Sequence, residues 1–388
     1  MTARETLGSI CSAIVDCEHK TAPIDDAGDF FAVGTPAMRG NVIDYSQARR
    51  ISRATFDLWT RRLKPADGDL LFAREAPVGP IVRVPKRGIV APGQRTVLLR
   101  PDSSKVDSNF LFYLLSSPTQ QQLIAAKAAG STVAHLNVAD VRSFELPALP
   151  SIREQHAIAE VLGALDDKIA ANATLVQAAD ALAATSLAKA VEAATQAAPL
   201  SSLAEFVNGK AFTKGATGTG RVVIRIAELN SGVGGSTVYN DIDVAEKHLA
   251  RQGDLLFAWS GSLTVHRWHR PEGIVNQHIF KVIPNDGYPL WLVNGVLRRK
   301  LADYRAIAAD KATTMGHIQR HHLDERVRIP SPEDVGRLDA AMSALWDRAL
   351  AAEVESLKLA ETRDALLPLL MSGKVRVKDA EKVVEGVV

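Results

Sequence analysis

Two long stretches of the chain carry a hydrophobic repeat of alternating four- and three-residue steps. From Ser151 the series runs through Ile158, Leu162, Leu165 and Ile169, then Val176, Ala179, Ala183 and Ala190. That spacing predicts one helix from Ser151 to about Ala197, with a coiled-coil-like seam. Ser151 followed by Glu154 has the form of a capping box. Asn172 falls in the seam, where a polar side chain costs stability but fixes register. Gly163 costs about 1 kcal/mol relative to alanine, and Pro199 marks the end. At ~1.5 Å per residue such a helix spans roughly 60 to 70 Å. It is too long for the interior of one ordinary domain and needs a partner helix. The second stretch supplies one. After Ser331 as N-cap and Pro332 at the first helical position, Leu338, Met342, Leu345, Ala349 and Ala352 repeat the spacing. The seam then shifts through Leu357, Leu359 and Leu366. Pro368 is expected to kink or end this helix and Gly373 to close it.

The stretches between the helices show shorter alternating or apolar runs broken by Gly and Pro, the pattern of strands. In the first, a helix is expected over Asp107–Ala129, ending at Gly130. The same order of elements occurs twice. Gly68-Asp69-Leu70-Leu71-Phe72-Ala73 recurs letter for letter as Gly253-Asp254-Leu255-Leu256-Phe257-Ala258, and Ile89-Val90 as Ile274-Val275 at the same offset. Gln94 matches Gln277 if two residues are dropped. Phe110-Leu111-Phe112-Tyr113 corresponds to Leu290-Trp291-Leu292. Gly130-Ser131-Thr132-Val133-Ala134-His135-Leu136 corresponds to Ala312-Thr313-Thr314-Met315-Gly316-His317-Ile318, and Leu146-Pro147 to Ile329-Pro330. Ordered matches, each ending in a long helix, indicate two copies of one module. The boundaries expected are 1–149 and 199–330 for the two globular domains, 150–198 and 331–375 for the helices, and 376–388 for a tail. The fold class is mixed α/β.

Composition adds little until it is divided. With 46% hydrophobic and 23% charged residues the chain has an ordinary soluble composition. No apolar run approaches a membrane span, and the start lacks the apolar core of a signal peptide. The two cysteines, Cys11 and Cys17, have no second pair, which fits a reduced, cytoplasmic setting and no metal or disulfide framework. The net charge of +2 hides an uneven distribution. Arg39–Arg100 holds 13 Lys/Arg against 5 Asp/Glu, and Arg251–Arg328 holds 12 against 7 with six histidines besides. Basic globular parts point to a polyanion, most simply nucleic acid, against the plainer reading of a solvated surface.

Catalytic signatures are missing. There is no phosphate loop, no HExxH, no GxSxG and no (Asn/Asp)-Pro-Pro-aromatic signature of adenine methyltransferases. Gly232-Val233-Gly234-Gly235 has no helix pattern after it. Asp16-Cys17-Glu18-His19-Lys20 contains an acidic-x-Lys element without the earlier aspartate a nuclease needs. His317 with His321-His322 has no cysteine nearby, and phosphate or base contacts or a plain loop explain it better than a metal. A chain with two modules and no chemistry reads as a recognition protein. Two reading heads at a fixed separation suit a target with two half-sites.

The chain resembles the DNA-specificity subunit of type I restriction-modification systems. The resemblance rests on Leu149-Pro150 through Glu154-Gln155, Ile158-Ala159, Leu162 to Ile169 and Asn172, which are like that family's first long helix. It rests also on Leu366 to Val375, like its C-terminal end, and on the paired hexapeptides. The first domain further resembles one variety of target-recognition domain through Cys17 to Thr21, Arg74 to Gly79, Gly93 to Val97 and Thr132 to Asn137. The second departs from it, with Trp259-Ser260-Gly261-Ser262 where the first has Arg74-Glu75-Ala76-Pro77. The resemblance implies that each domain reads half of a split, asymmetric DNA target. The two helices would lie antiparallel, set the spacer and dock two modification subunits. Those subunits would carry S-adenosylmethionine and methylate adenine N6, and a motor-nuclease subunit can join to cut unmodified double-stranded DNA. This chain would bind no cofactor and catalyse nothing. The rivals are a stand-alone enzyme that modifies or cuts DNA and a scaffold for an acidic protein.

Base readout needs paired donors or acceptors, and phosphate contact needs cations, hydroxyls or amides. In the first domain the candidates are Glu18, His19, Lys20, Arg74, Glu75, Gln94, Arg95, Thr132, His135 and Asn137. In the second they are Trp259, Ser260, Ser262, His266, Arg267, Gln277, Lys311, Thr313, Thr314, His317 and Arg320. An acid such as Glu18 or Glu75 helps only where it accepts from cytosine. Trp259 reads equally as core. Gln94 with Gln277, and His135 with His317, recur in both copies, so a shared structural hydrogen bond competes with readout.

Overall fold

A computed structural model describes residues 5–129, 134–310 and 316–387. Contacts divide it into two compact units, one made of 1–167 with 359–388 and the other of 168–358.

The first unit opens with a short capped helix, α1 (Leu7–Ile10), and then β1 (Cys11–Asp16), β2 (Phe30–Val33), β3 (Arg49–Ile51), α2 (Arg53–Trp59), β4 (Leu70–Arg74), β5 (Val78–Arg83), β6 (Val90–Pro92) and β7 (Thr96–Pro101). Helices α3 (Ser108–Ser116), α4 (Pro118–Ala128) and α5 (Val138–Arg142) follow. The strands make an antiparallel sheet of order β1-β7-β4-β5 and a smaller sheet of order β3-β2-β6, in which β2 and β6 run parallel. The single helix expected over Asp107–Ala129 is two. Pro118 has no N–H to donate and sits at the start of α4, so the chain breaks at Ser117, whose backbone is extended.

Helix α6 (Ile152–Glu192) crosses from the first range into the second. The second unit continues with β8 (Gln196–Pro199), β9 (Ala204–Asn208), β10 (Arg221–Ile224), α7 (Ile226–Ser231), β11 (Tyr239–Asn240), β12 (Leu249–Ala250), β13 (Leu255–Ala258), β14 (Thr264–Arg267), β15 (Gly273–Val275), β16 (Ile279–Pro284), α8 (Leu290–Asp310), β17 (Arg326–Ile329) and α9 (Pro332–Met371). A last helix, α10 (Val377–Glu385), occupies the segment expected as a tail. Helix α6 ends five residues earlier than the repeat predicts, because Gln196–Pro199 pairs with Arg326–Ile329 as a two-stranded ribbon.

The repeat is visible in the topology. The second unit has a sheet of order β9-β16-β13-β14, answering β1-β7-β4-β5 strand for strand. Its smaller sheet again holds a parallel pair, β10 with β15, answering β2 with β6. The shared hexapeptide makes the same turn and central strand in both. Gly68 and Gly253 take φ of 84° and 94°, which side chains resist. Asp69 and Asp254 each accept the N–H three residues earlier, from Ala66 and Arg251. Each aspartate also holds a cation of the neighbouring strand. Asp69 pairs with Arg100 at 2.7 Å, and Asp254 with Lys281 at 2.9 Å. The four apolar residues that follow are buried in both copies.

The seams behave as the spacing requires. Ile158, Leu162 and Leu165 are buried in the first unit, and Ala179, Leu187 and Ala190 in the second, while Ile169 and Val176 are only half-buried. In the second unit Asn172 donates to Glu355 at 2.7 Å, and Leu187 joins a core with Met342 and Trp346. Rising numbers on α6 thus meet falling numbers on α9, and the pair is antiparallel. In the first unit Asp166 accepts from Arg363 at 2.7 Å and from the Tyr113 hydroxyl at 2.6 Å. Ser151 and Ser331 each accept an N–H of the first turn, from Glu154 and Asp334. Pro368 lies in the last turn without ending the helix, and Gly373, at φ 68°, closes it.

Candidate nucleic-acid interface

The candidates of each unit gather where the hexapeptide strand ends. In the first, the end of β4 brings Arg74 and Glu75 beside the loop after β1 and the turn between β6 and β7. Arg74 is nine-tenths buried. Its Nε lies 3.2 Å from Asp16 Oδ1, and an Nη approaches His19 Nδ1 at 3.4 Å. Asp16 Oδ2 is in turn 3.0 Å from His19 Nε2. Glu75 pairs with Arg95 at 3.3 Å and forms an isolated antiparallel bridge with His135. Gln94 is exposed and accepts from the Thr21 hydroxyl at 3.2 Å. Lys20 is exposed on the same loop as His19. Asn137 caps α5, its side chain accepting from the Asp140 N–H at 2.8 Å, so it has a structural task. Thr132 lies outside the described residues.

Glu18 sits between two arginines, 3.1 Å from Arg61 and 3.0 Å from Arg62. The hydrogen bond from Arg62, helped by the charge of Arg61, holds its carboxyl below the usual carboxylate range. Arg49, exposed on β3, lines one cleft with Thr21, Gln94 and Arg95. Arg50 and Arg53 are exposed too, on β3 and at the start of α2, with Arg53 paired to Asp57 at 2.9 Å; exposed cations of this kind suit phosphate contact.

The second unit repeats the frame with other side chains. The Trp259 indole N–H donates to Asn208 at 2.9 Å, and its ring lies 5.1 Å from His278 and 6.3 Å from His317. Ser260 is buried and bridges His317, as Glu75 bridges His135. Arg95 and His278 correspond and share a rare backbone. Both are non-glycine residues in the left-handed region, at φ 70° and 73°, and the carbonyl of each accepts from the residue after the hexapeptide, Arg74 or Trp259. Ser262, Gln277 and Arg320 are exposed. Lys311, Thr313 and Thr314 lie outside the described residues.

Two candidates are placed elsewhere. Arg267 points at the long helices: its guanidinium meets Glu353 at 2.7 Å and Asp180 at 3.4 Å and covers the Trp346 ring at 4.7 Å. His266, on β14, is within 3.0 Å of the Thr264 hydroxyl, and burial pushes its pKa down to about 4. Asp16, Arg61, Arg62, Asn208 and His278 belong to the clusters and were not among the sequence candidates. His278 follows Gln277 as Arg95 follows Gln94, so the repeat held the signal for it. Asp16 and Asn208 stand at unequal distances from their hexapeptides, which hid their equivalence.

Residues 34–179 match the family model described as the type I restriction modification DNA specificity domain. That stretch, somewhat over a third of the chain, is similar to the specificity domain. Over 76 residues it is 34% identical to the putative type I specificity subunit S.MgeORF438P of Mycoplasma genitalium, covering 20% of this chain and 19% of the relative. Over 105 residues it is 33% identical to the putative type I restriction enzyme MjaX specificity subunit of Methanocaldococcus jannaschii, covering 26% and 23%. The matched stretches thus span about a fifth of these curated relatives. The crystal structure of a type I restriction-modification S subunit from M. genitalium matches 95% of both chains with a TM-score of 0.60 at 17% identity, which shows a shared fold. The match to the family model ends at residue 179, and the second module repeats the strand order of the first. Among the described residues no group of side chains could hold a metal ion, and no helix is long and apolar enough to cross a membrane.

Proposed function

We propose that the chain is the DNA-recognition subunit of a type I restriction-modification complex, and that it catalyses no step itself. The observation that carries the reading is the pairing of one frame with two different side-chain sets. The specificity-domain topology occurs twice, and the loop cluster of one copy presents Arg, Asp and Glu where the other presents Trp, Asn and Ser. Different side chains on one frame would read different base edges, so the target would be bipartite and asymmetric. Exposed arginines on β3 and α2 would grip phosphates and fix orientation without reading sequence. The helix pair would set the gap between half-sites and dock two modification subunits, which bring S-adenosylmethionine and methylate adenine. A motor-nuclease subunit is the further partner this reading includes. A base-resolution map of adenine methylation in cells with and without the gene tests it. One split motif with a fixed gap should lose its methylation on deletion. A purified chain that methylates or cuts DNA alone would refute the non-catalytic assignment.

A further inference from the structure

The two loop clusters differ most sharply at one pair of positions. Aligned on the hexapeptide, the registers put Asp16 and Asn208 at the same place. Asp16 pairs with Val97 while Ala73 pairs with Thr96. Asn208 pairs with Phe280 while Ala258 pairs with Ile279. The next residue in each copy donates to the matching carbonyl, Cys17 to Thr96 at 3.2 Å and Gly209 to Ile279 at 2.9 Å. Each of the two side chains then meets the residue directly after the hexapeptide. In the first copy an anion faces a cation, Asp16 to Arg74 at 3.2 Å. In the second a neutral acceptor faces a neutral donor, Asn208 to Trp259 at 2.9 Å. Both partners differ between the copies, and each combination is matched in charge. A single exchange would not be: arginine beside Asn208 would lose its countercharge, and Asp16 beside an indole would be a part-buried carboxylate with its cation gone.

Arg74 is itself too buried to meet a base. What it holds is Asp16, and Asp16 holds His19, whose side chain is 67% exposed. In the second copy the half-buried Trp259, fixed by Asn208, supports His278. We propose that Asp16 and Asn208 are positioning residues for sequence readout: the 16/74 and 208/259 pairs act as interchangeable units that aim the side chains beside them, the exposed His19 and the half-buried His278, and so set which bases each half prefers. This rests on the DNA-recognition reading above.

The test uses the full chain and a pool of randomised double-stranded oligonucleotides. The bound fraction is sequenced, and affinity is then measured for the selected duplex and for one with either half scrambled. D16N should lower the preference at one half-site about tenfold, the scale of one good base contact. Preference at the other half, affinity for fully scrambled DNA and the salt slope should not change, and D16E should restore part of the loss. D16N/R74W, which installs the neutral pair, should lose less than the sum of D16N and R74W. N208D/W259R should act only on the opposite half. Melting temperatures within a few degrees of wild type separate positioning from unfolding. Equal weakening on all duplexes, or strictly additive single effects, would overturn the proposal. If the wild type shows sequence preference that D16N leaves intact, only the pairing idea fails. If the wild type has no preference, the DNA-recognition reading fails and takes the pairing with it.

Discussion

Arg267 offers the clearest perturbation, because its surroundings fix both the sign and the size of the effect. The side chain is 2% exposed and lies against Glu353, Asp180 and the face of Trp346. Glu353 receives two hydrogen bonds from it, at 2.7 and 3.2 Å. Replacing Arg267 by Met keeps much of the volume and removes the charge by which β14 meets these carboxylates. Breaking a fully buried pair from one side costs about 3–5 kcal/mol; here Glu353 and Asp180 are 22% and 38% exposed, so water screens the stranded carboxylates and the loss is about 2–3 kcal/mol. For a unit of this size that lowers the melting midpoint by several degrees. R267M/E353Q should recover part of the loss, because the stranded carboxylate is neutralised, and R267K should fall between, since lysine lacks the bidentate fork. Thermal melting followed by circular dichroism, with hydrogen exchange on β14 and α9, reads this directly. At a temperature where R267M remains folded, its DNA affinity should keep the salt dependence of the wild type, because this guanidinium is turned toward the helices. A loss below about 1 kcal/mol, or a lowered salt slope in folded protein, would refute the reasoning.

Histidines buried in the second domain set a pH limit. His266 is pushed down to about 4 and His248 and His269 are also lowered, each mainly by burial. The unfolded chain therefore binds more protons, and stability present at pH 7 is lost as pH falls below about 6.5; His266 alone accounts for about 2 kcal/mol by pH 5. Melting curves from pH 7.5 to 5 should show the decline, and H266Q should flatten it. Gly93 has no room for a side chain, since a Cβ there would stand 2.4 Å from the backbone of Val33 and Gly34. G93A should cost roughly 1–3 kcal/mol, visible in chemical denaturation, and loosen the turn that carries Gln94 and Arg95. Inserting four residues, about one helical turn, after Ala183 should lengthen the gap in the methylated motif and leave both half-sites unchanged. Altered half-sites with an unchanged gap would dismiss the helix as a ruler.

The parts of the molecule written in local periodicity were legible in the chain. The seams of α6 and α9, their serine caps and the recurring hexapeptide depend on residues a few positions apart, and the structure places them as the spacing demands. Boundaries were less legible because tertiary pairing overrides propensity. The alanine-rich run after Glu192 continues a helical composition, yet Gln196–Pro199 is drawn into a ribbon by Arg326–Ile329. Side-chain partnership was least legible. Nothing near Arg267 in sequence announces Glu353 or Asp180, and a basic residue on an alternating strand looks the same whether it faces DNA or a helix pair. Asp16 read as a fragment of a nuclease-like element. Its task appears only when the strand register brings Arg74 beside it.

Identity and difference between the two copies therefore carry separate meanings. The letters that recur, Gly-Asp-Leu-Leu-Phe-Ala, build a turn, an aspartate-cation clamp and a buried central strand. They are held alike because packing and backbone geometry leave few alternatives. Divergence begins at the next residue, where the strand leaves the core and the chain reaches the loops. Recurrence in a repeat is thus better evidence of framework than of readout. By that argument Gln94 and Gln277 belong with the framework, since both sit just before a residue forced into the left-handed region. Residues 74 and 259, with their partners 16 and 208, are where the frame changes its chemistry without changing its shape.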